Sequence, residues 1–302
     1  MKKPNLFVVG APKCGTTSMH NYLGQHPEIF MSSPKELHYF SPDIDYFPQK
    51  ITGISNYLQF FDSAGDAKYI GESSPEYLYS EVAAQQIKEF CSEAKIIIML
   101  RNPPDMLYSL HGDLLLWKDE DIFDFSEALA AQEERKQGRK IPESSKSHKE
   151  IKFLLYFDWV KYSTQVRRYF KMFGKENVHI ILFNEFVKDT ANIYRQTLEF
   201  LGVAPDFPVE IKVKNPSKPL PNIAVRSFFR KYPHLVDKLE SSSYADLVKF
   251  LFYDLGKFGQ PQRPKKIDPE LRLKLMKHFQ PEIEELAILL NWDEQRLQLW
   301  LQ

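Results

Sequence analysis

Short apolar runs recur along the first two thirds of the chain. Residues 5–10, "NLFVVG", and 94–100, "AKIIIML", are continuous apolar runs, and residues 178–183, "VHIILF", form a third. Runs of this length, rich in β-branched residues, are typical of strands buried on both faces. Residues 67–78 predict a further short strand that continues into a Ser/Pro turn.

Helical patterns separate these strands. Thr16 to Gln25 predicts a helix, as do residues 80–91, 151–173 and 189–201. The first strand, a Gly-bearing turn and the first helix form the start of a βαβ unit. We therefore predict an α/β fold with a P-loop-like central parallel β-sheet flanked by helices.

The C-terminal part, residues 205–302, predicts a mostly helical extension. A helix is expected over 268–290, where Leu271, Leu275, Phe279 and Ile283 recur at four-residue spacing. Residues 223–256 also predict helix. The sequence has no recognisable internal repeat or domain linker, and we therefore predict a single domain spanning 1–302.

Polar and Pro-broken stretches predict loops. Residues 136–150 are polar without periodicity, and residues 211–222 are broken by proline. Residues 259–270 form a basic, Pro-rich loop whose "RPKK" at 263–266 is a candidate cover for a ligand phosphate, with a solvated loop as the alternative.

Composition narrows the class of partner. The 302-residue chain has 40 basic and 40 acidic side chains, so its whole-chain charge favours neither nucleic acid nor a membrane, and any anion site must be local. Two cysteines suit a reducing compartment, and no apolar run reaches the roughly 18 residues of a membrane span. We predict a cytoplasmic protein of bacterial origin; its oligomeric state cannot be read from the sequence.

The turn after the first strand is a variant of a nucleotide-binding loop. Gly10 and Gly15 have Walker A spacing, but Thr16 stands where that loop has lysine, and a lysine, Lys13, comes three places earlier. Backbone amides at a helix start attract anions, and Gly15 permits close approach. Together with the hydroxyls of Thr16, Thr17 and Ser18, they form a candidate phosphate cradle.

Arg101 directly follows the strand 94–100, where a magnesium-dependent kinase would need an acidic residue. It is a second candidate anion-binding group, so a donor with two phosphate-type groups and no metal fits best. A P-loop kinase-like phosphotransferase and a non-catalytic nucleotide-binding relative are the alternatives.

Four motifs in order resemble the PAPS-dependent sulfotransferases, particularly the bacterial and heparan-sulfate-modifying branch. They are "GAPKCGTTS" at 10–18, "KELHYF" at 35–40, "ESSPEYL" at 72–78 and "RNPPDMLYS" at 101–109. The sequence departs from the family pattern at Met106, where many members have arginine, and at Ser73, where polysaccharide-modifying members often have lysine.

The resemblance implies roles for the donor-binding residues. Lys13 would lie against the oxygen bridging phosphate and sulfate of PAPS. Arg101 and Ser109 would bind the 3′ phosphate. The 5′ phosphate would be held by the loop residues Cys14, Gly15, Thr16, Thr17 and Ser18, with the Cys14 side chain as a spacer. PAP is the implied product.

The resemblance also implies the catalytic base. Glu36 is expected to deprotonate the acceptor, with His38 as its helper or as the base itself. If the segment is extended, residues two apart face the same side and both reach one pocket. The acceptor would be the hydroxyl or amine of a small molecule, saccharide or lipid; its identity stays open.

Overall fold

The computed structural model describes residues 2–44, 51–117, 119–142, 150–211 and 266–301. Contacts divide the chain into two compact units. The first unit comprises Met1–Met106, Phe157–Asn215 and Met276–Gln302, and the second comprises Leu107–Tyr156 and Pro216–Leu275. That the whole chain is one domain stays a prediction.

A five-stranded, all-parallel sheet lies in the first unit. Its strands, in chain order, are β1 (Leu6–Gly10), β2 (Ile29–Met31), β3 (Tyr69–Ser73), β4 (Lys95–Leu100) and β5 (Val178–Leu182). Their order across the sheet is β2-β3-β1-β4-β5. The two most apolar runs are the neighbours β1 and β4, because central parallel strands are buried on both faces.

Helices flank the sheet, which confirms the predicted fold class. Among the described residues the helices, in chain order, are α1 (Thr16–Leu23), α2 (Ile54–Leu58), α3 (Ala83–Phe90), α4 (Pro103–Trp117), α5 (Phe125–Ala130), α6 (Gln132–Lys136), α7 (Tyr162–Phe173), α8 (Phe183–Lys188), α9 (Thr190–Leu201), α10 (Pro269–Leu290) and α11 (Glu294–Leu301), of which α5 and α6 belong to the second unit. Within the described residues, no helix has the length and apolar character needed to cross a membrane.

The single helix predicted over 151–173 is wrong in its first half. Two 3₁₀ helices, Glu150–Leu154 and Tyr156–Val160, precede α7. The buried aromatic residues there recur every three positions: Phe153, Tyr156, Trp159 and Tyr162. A period of three matches the 3₁₀ helix and not the α-helix, so burial of these rings favours the tighter turn.

Other differences come from short elements. Strand β2 has three residues and α2 has five, so neither produces a readable period. The predicted α10 is confirmed, whereas residues 212–265, which include the predicted helix 223–256 and most of the two Pro-rich loops, lie outside the described residues. So does the part of the predicted 136–150 loop from 143 to 149.

The second unit contains a buried ion pair. The guanidinium of Arg135 donates to both carboxylate oxygens of Glu120, at 2.8 and 2.7 Å, and Tyr156 donates its hydroxyl to the same carboxylate at 2.8 Å. Neither charged side chain is exposed. The fork geometry satisfies both groups, as burial of charge requires.

Candidate active site

The parallel sheet collects the predicted motifs at one edge. Ala11, Ser74 and Arg101 each follow the carboxyl end of a neighbouring strand, namely β1, β3 and β4. This edge is where open parallel sheets bind ligands.

The turn between β1 and α1 needs glycine at position 15. Gly15 has φ +87°, and a Cβ there would lie 3.2 Å from the Phe186 ring and 3.3 Å from the Phe183 ring. Both the backbone conformation and the packing therefore disfavour larger residues. Lacking a side chain, Gly15 leaves the first-turn amides of α1 without a side-chain cap, in the arrangement that binds anions.

Exposure alternates along this loop. Lys13, Gly15 and Thr17 are partly exposed, whereas Cys14, Thr16 and Ser18 are buried. The Cys14 thiol donates to the carbonyl of Pro12 at 3.3 Å, and burial raises its pKa to about 12. Its side chain thus supports the loop from within, and only its main chain can face a ligand.

Arg101 is fixed against the loop. Its Nη1 donates to the carbonyl of Lys13 at 3.3 Å, and its guanidinium carbon lies 4.7 Å from the centre of the Phe183 ring. Stacking on an aromatic face orients a guanidinium. Because that group carries five N–H donors, Arg101 can support the loop and bind an anion at the same time.

Ser109 lies on α4 and is partly exposed. It belongs to the second unit, whereas Lys13 and Arg101 belong to the first. Its contact with the donor therefore stays a prediction.

Residues 35–40, here called the base segment, are held by residues 72–77, here called the ESSPEY turn. The amides of Glu36, His38 and Phe40 donate in that order to the carbonyl of Ser73, the hydroxyl of Ser74 and the hydroxyl of Tyr77, at 3.0, 3.1 and 3.2 Å. Every second amide of the base segment is thus bound by the turn. The two motifs, remote in sequence, form one structural unit.

The base segment is not extended, contrary to expectation. Glu36 has φ +70° and His38 has φ +52°, so the chain curls at alternate residues and turns their amides toward the ESSPEY turn. The two side chains nevertheless meet: Nε2 of His38 lies 4.0 Å from Oε2 of Glu36. The shared pocket is present, but left-handed backbone rather than strand geometry produces it.

Glu36 sits in a positive surrounding. Burial alone would raise its pKa, but the ammonium of the adjacent Lys35, with which it pairs, and the charge of Lys13 hold the pKa below the ordinary value. Its side chain is still 41% exposed, so an acceptor can reach it. Glu36 is therefore an ionised carboxylate that feels the charge of the donor loop.

His38 is a neutral imidazole. Burial and the charge of Lys35 lower its pKa to about 3, although Glu36 opposes the shift. On the other side of the ring, Nδ1 lies 3.2 Å from Oε2 of Glu76. Neither Lys35 nor Glu76 was predicted as a member of the site: Lys35 lies in the motif "KELHYF" and Glu76 in the motif "ESSPEYL", but nothing in the sequence pattern marks either as a site residue.

A fully buried carboxylate, Glu72, anchors the ESSPEY turn. It accepts hydrogen bonds from the hydroxyls of Tyr57 at 2.6 Å, Tyr77 at 3.1 Å and Ser74 at 3.0 Å. Burial raises its pKa to about 7, although the three hydroxyl donors act in the opposite direction. The hydroxyls of Ser74 and Tyr77 also accept hydrogen bonds from the amides of the base segment, so Glu72 helps to fix that segment through these two side chains.

Changing Glu72 to glutamine is expected to flatten the pH dependence of stability. A carboxyl with pKa about 7 when folded and 4.5 ordinarily binds more protons in the folded state between these values. Wild type should therefore lose about 3 kcal/mol as pH rises from about 4.5 to 7, at about 1.36 kcal/mol per unit. Urea unfolding at several pH values measures the difference. Equal slopes for the variant, wild type and the exposed control Glu93→Gln would contradict the assignment.

Comparisons with known proteins agree with this geometry. A family model described as a sulfotransferase domain matches residues 3–231. The membrane-associated sulfotransferase kil1 of Dictyostelium discoideum is 32% identical over 114 residues, 38% of this chain and 24% of that protein. The bifunctional heparan sulfate N-deacetylase/N-sulfotransferase 3 of Homo sapiens is 27% identical over 210 residues, 68% of this chain and 23% of that protein. The matched regions are thus about a quarter of these relatives' length.

A solved structure matches over nearly the whole chain. The crystal structure of a sulfotransferase from Alicyclobacillus acidocaldarius is similar with a TM-score of 0.71 and 28% identity, covering 99% of this chain and 100% of that one. The family model alone spans well over half of the sequence. The chain therefore belongs to the sulfotransferase domain family.

Proposed function

We propose that the sulfuryl donor is PAPS and that transfer to an acceptor hydroxyl or amine occurs in line, without a metal ion. One observation carries the proposal. Lys13 is close enough to Glu36 to lower its pKa, while Arg101 donates to the Lys13 carbonyl. Arg101 is thus fixed to the main chain of Lys13 and the charge of Lys13 acts on Glu36, so we treat two cations suited to phosphate and one carboxylate suited to a proton as one site.

The residues fit a donor with two separate anionic groups. The α1 amides with Lys13 form one anion site, and Arg101 forms the other. PAPS carries a 5′ phosphosulfate and a 3′ phosphate, and it supplies the activated sulfuryl group. Lys13 would bind the bridging oxygen, the loop from Cys14 to Ser18 the 5′ phosphate, and Arg101 with Ser109 the 3′ phosphate.

The chain supplies positive charge where a kinase uses magnesium. Lys13 would neutralise charge on the departing phosphate, and such preorganised electrostatic stabilisation is a large term in group transfer. Arg101 would fix the other end of the donor and so set the line of transfer. The proposed metal independence rests on these two cations.

Glu36 would take the acceptor's proton. A carboxylate with a lowered pKa is a weak base, but in a loose transition state the attacking oxygen bonds weakly and needs little help before it reacts. The main contribution of Glu36 is then its position near Lys13. His38, neutral and beside Glu36, is proposed as its helper.

The proposed acceptor is a saccharide hydroxyl or amine. The heparan sulfate enzymes among the relatives support this class. A lipid hydroxyl or small phenol is the alternative, since Ser73 stands where polysaccharide-modifying members often have lysine. A cytoplasmic location stays a prediction from the low cysteine content.

Calorimetric titration with PAP tests the donor class. Wild type is expected to bind PAP equally well with and without EDTA. Arg101→Ala should weaken binding by about 1.5–3 kcal/mol, the scale of a hydrogen bond to a charged group. The PAP affinity of Arg101→Lys should lie between those of wild type and Arg101→Ala, because lysine keeps the charge but cannot make the two parallel hydrogen bonds of a guanidinium.

The control is Arg195→Ala, which removes an exposed arginine of α9. Its PAP affinity should equal that of wild type. If wild type instead ignores PAP and binds ATP with magnesium, the proposed donor is wrong.

A further inference from the structure

Glu76 is a buried carboxylate that the mechanism above does not use. It lies in the short 3₁₀ helix Pro75–Tyr77 of the ESSPEY turn, and its side chain is only 11% exposed. The turn fixes its position, because the amide of Tyr77 donates to Ser74 and the amide of Ser80 donates to Glu76 itself, at 3.1 and 2.9 Å. A carboxylate so buried requires polar partners.

Its carboxylate faces His38. Oε2 of Glu76 lies 3.2 Å from Nδ1, within reach of its charge although the two atoms are not aligned as a hydrogen bond, while Nε2 on the other side of the ring faces Oε2 of Glu36 at 4.0 Å. His38 is itself held by its amide, which donates to Ser74. The imidazole thus stands between two carboxylates, with the ammonium of Lys35 as the third charged group around it.

We propose that Glu76 is a positioning residue for sulfuryl transfer: it keeps the His38 proton on Nδ1 and thereby presents the Nε2 lone pair to Glu36. This inference rests on the proposed role of Glu36 as the base. A neutral imidazole has a single N–H, so the group that faces one nitrogen decides the state of the other.

The lone pair matters only as the reaction proceeds. Before transfer it faces an ionised carboxylate and forms no hydrogen bond with it. As the acceptor oxygen bonds to sulfur, the bond from sulfur to the bridging phosphate oxygen breaks and PAP leaves. The acceptor's proton moves to a carboxylate oxygen of Glu36, and the new O–H donates to Nε2 once the side chains close by about 1 Å. An interaction that appears only along the reaction raises kcat.

Replacing Glu76 should make the hydrogen bond between His38 and Glu36 form before the reaction instead of during it. In Glu76→Gln the amide group can donate to Nδ1, which favours the tautomer with the proton on Nε2. That N–H would donate to ionised Glu36 and stabilise the carboxylate before the reaction. The variant should therefore fold and bind PAP normally but transfer the sulfuryl group more slowly.

The tautomer is measured directly by ¹⁵N NMR of the imidazole, without any donor. Wild type should show the His38 proton on Nδ1, and Glu76→Gln should move it to Nε2, whereas the exposed control Glu81→Gln should match wild type. A wild-type ring protonated on Nε2 would overturn the proposal. This measurement needs no sulfuryl donor, so it decides the matter even if PAPS proves to be the wrong donor.

Kinetics provide the second readout. Glu76→Gln should lower kcat about tenfold, which is less than the loss expected for removing the base itself. It should leave KM for PAPS unchanged. In a His38→Ala background the same change should cost less than about twofold, because its partner is gone. Equal losses in both backgrounds would show that Glu76 acts through the fold and not through His38.

Discussion

Lys13→Ala is expected to lower kcat about 10²–10³-fold, the cost of removing one charge-stabilising donor from a preorganised site. The loss should fall on the chemical step, because the ammonium faces charge that grows as the phosphate departs. PAP carries that full charge on its 5′ phosphate, whereas PAPS does not. The substitution should therefore weaken PAP binding more than PAPS binding. Rapid-mix kinetics and paired titrations measure both effects.

The control for Lys13 is Lys188→Ala, which removes an exposed lysine from the end of α8. It should leave kcat and both affinities unchanged. Equal weakening of PAP and PAPS by Lys13→Ala, with kcat retained, would show that Lys13 merely binds the donor. The assignment of Lys13 to the leaving group would then fall.

Glu36→Gln is expected to lower kcat about 10²–10⁴-fold, the range for loss of a positioned base. PAP affinity should stay equal or improve, because a negative charge near Lys13 is removed. A base acts only when ionised, and the pKa of Glu36 is below its ordinary value. Wild-type activity should therefore persist to pH values below the usual glutamate range and then decline, whereas the variant should lack that acid limb.

His38→Gln distinguishes the two candidate bases. If Glu36 is the base and His38 its helper, this change should cost less than Glu36→Gln. A greater loss for His38→Gln, with Glu36→Gln nearly active, would make His38 the base. Measuring kcat of both variants across pH against one acceptor is sufficient.

The sheet and the donor loop could be predicted because their signals are local. A run such as 94–100 is apolar at nearly every position, which only a central parallel strand explains. The Gly15 turn and Arg101 each follow directly from the end of such a strand, so strand order alone brings them to one edge. The positions of Lys13 and Arg101 needed no knowledge of distant contacts.

The base segment could not be predicted in the same way. Its left-handed curl at Glu36 and His38 exists because a turn more than thirty residues away binds its amides. Nothing in residues 35–40 alone specifies that pairing. The role of Glu76 is equally non-local, since it depends on the ring of His38 reaching across from another segment.

The ESSPEY turn is joined to the donor side as firmly as to the base segment. The amides of Ser74 and Leu78 donate to the carbonyls of Val8 and Val9 on β1, at 3.2 and 2.6 Å. At Gly10 a Cβ would meet the carbonyl oxygen of Pro75 at 2.7 Å, so the turn lies directly on the strand end. The backbone that carries Glu36 is therefore fixed relative to the donor loop, and substitutions that favour a new acceptor can change the distance between base and donor only slightly. Directed evolution of this enzyme should find its useful changes in side chains around the exposed face of Glu36 and should leave the backbone of both segments intact.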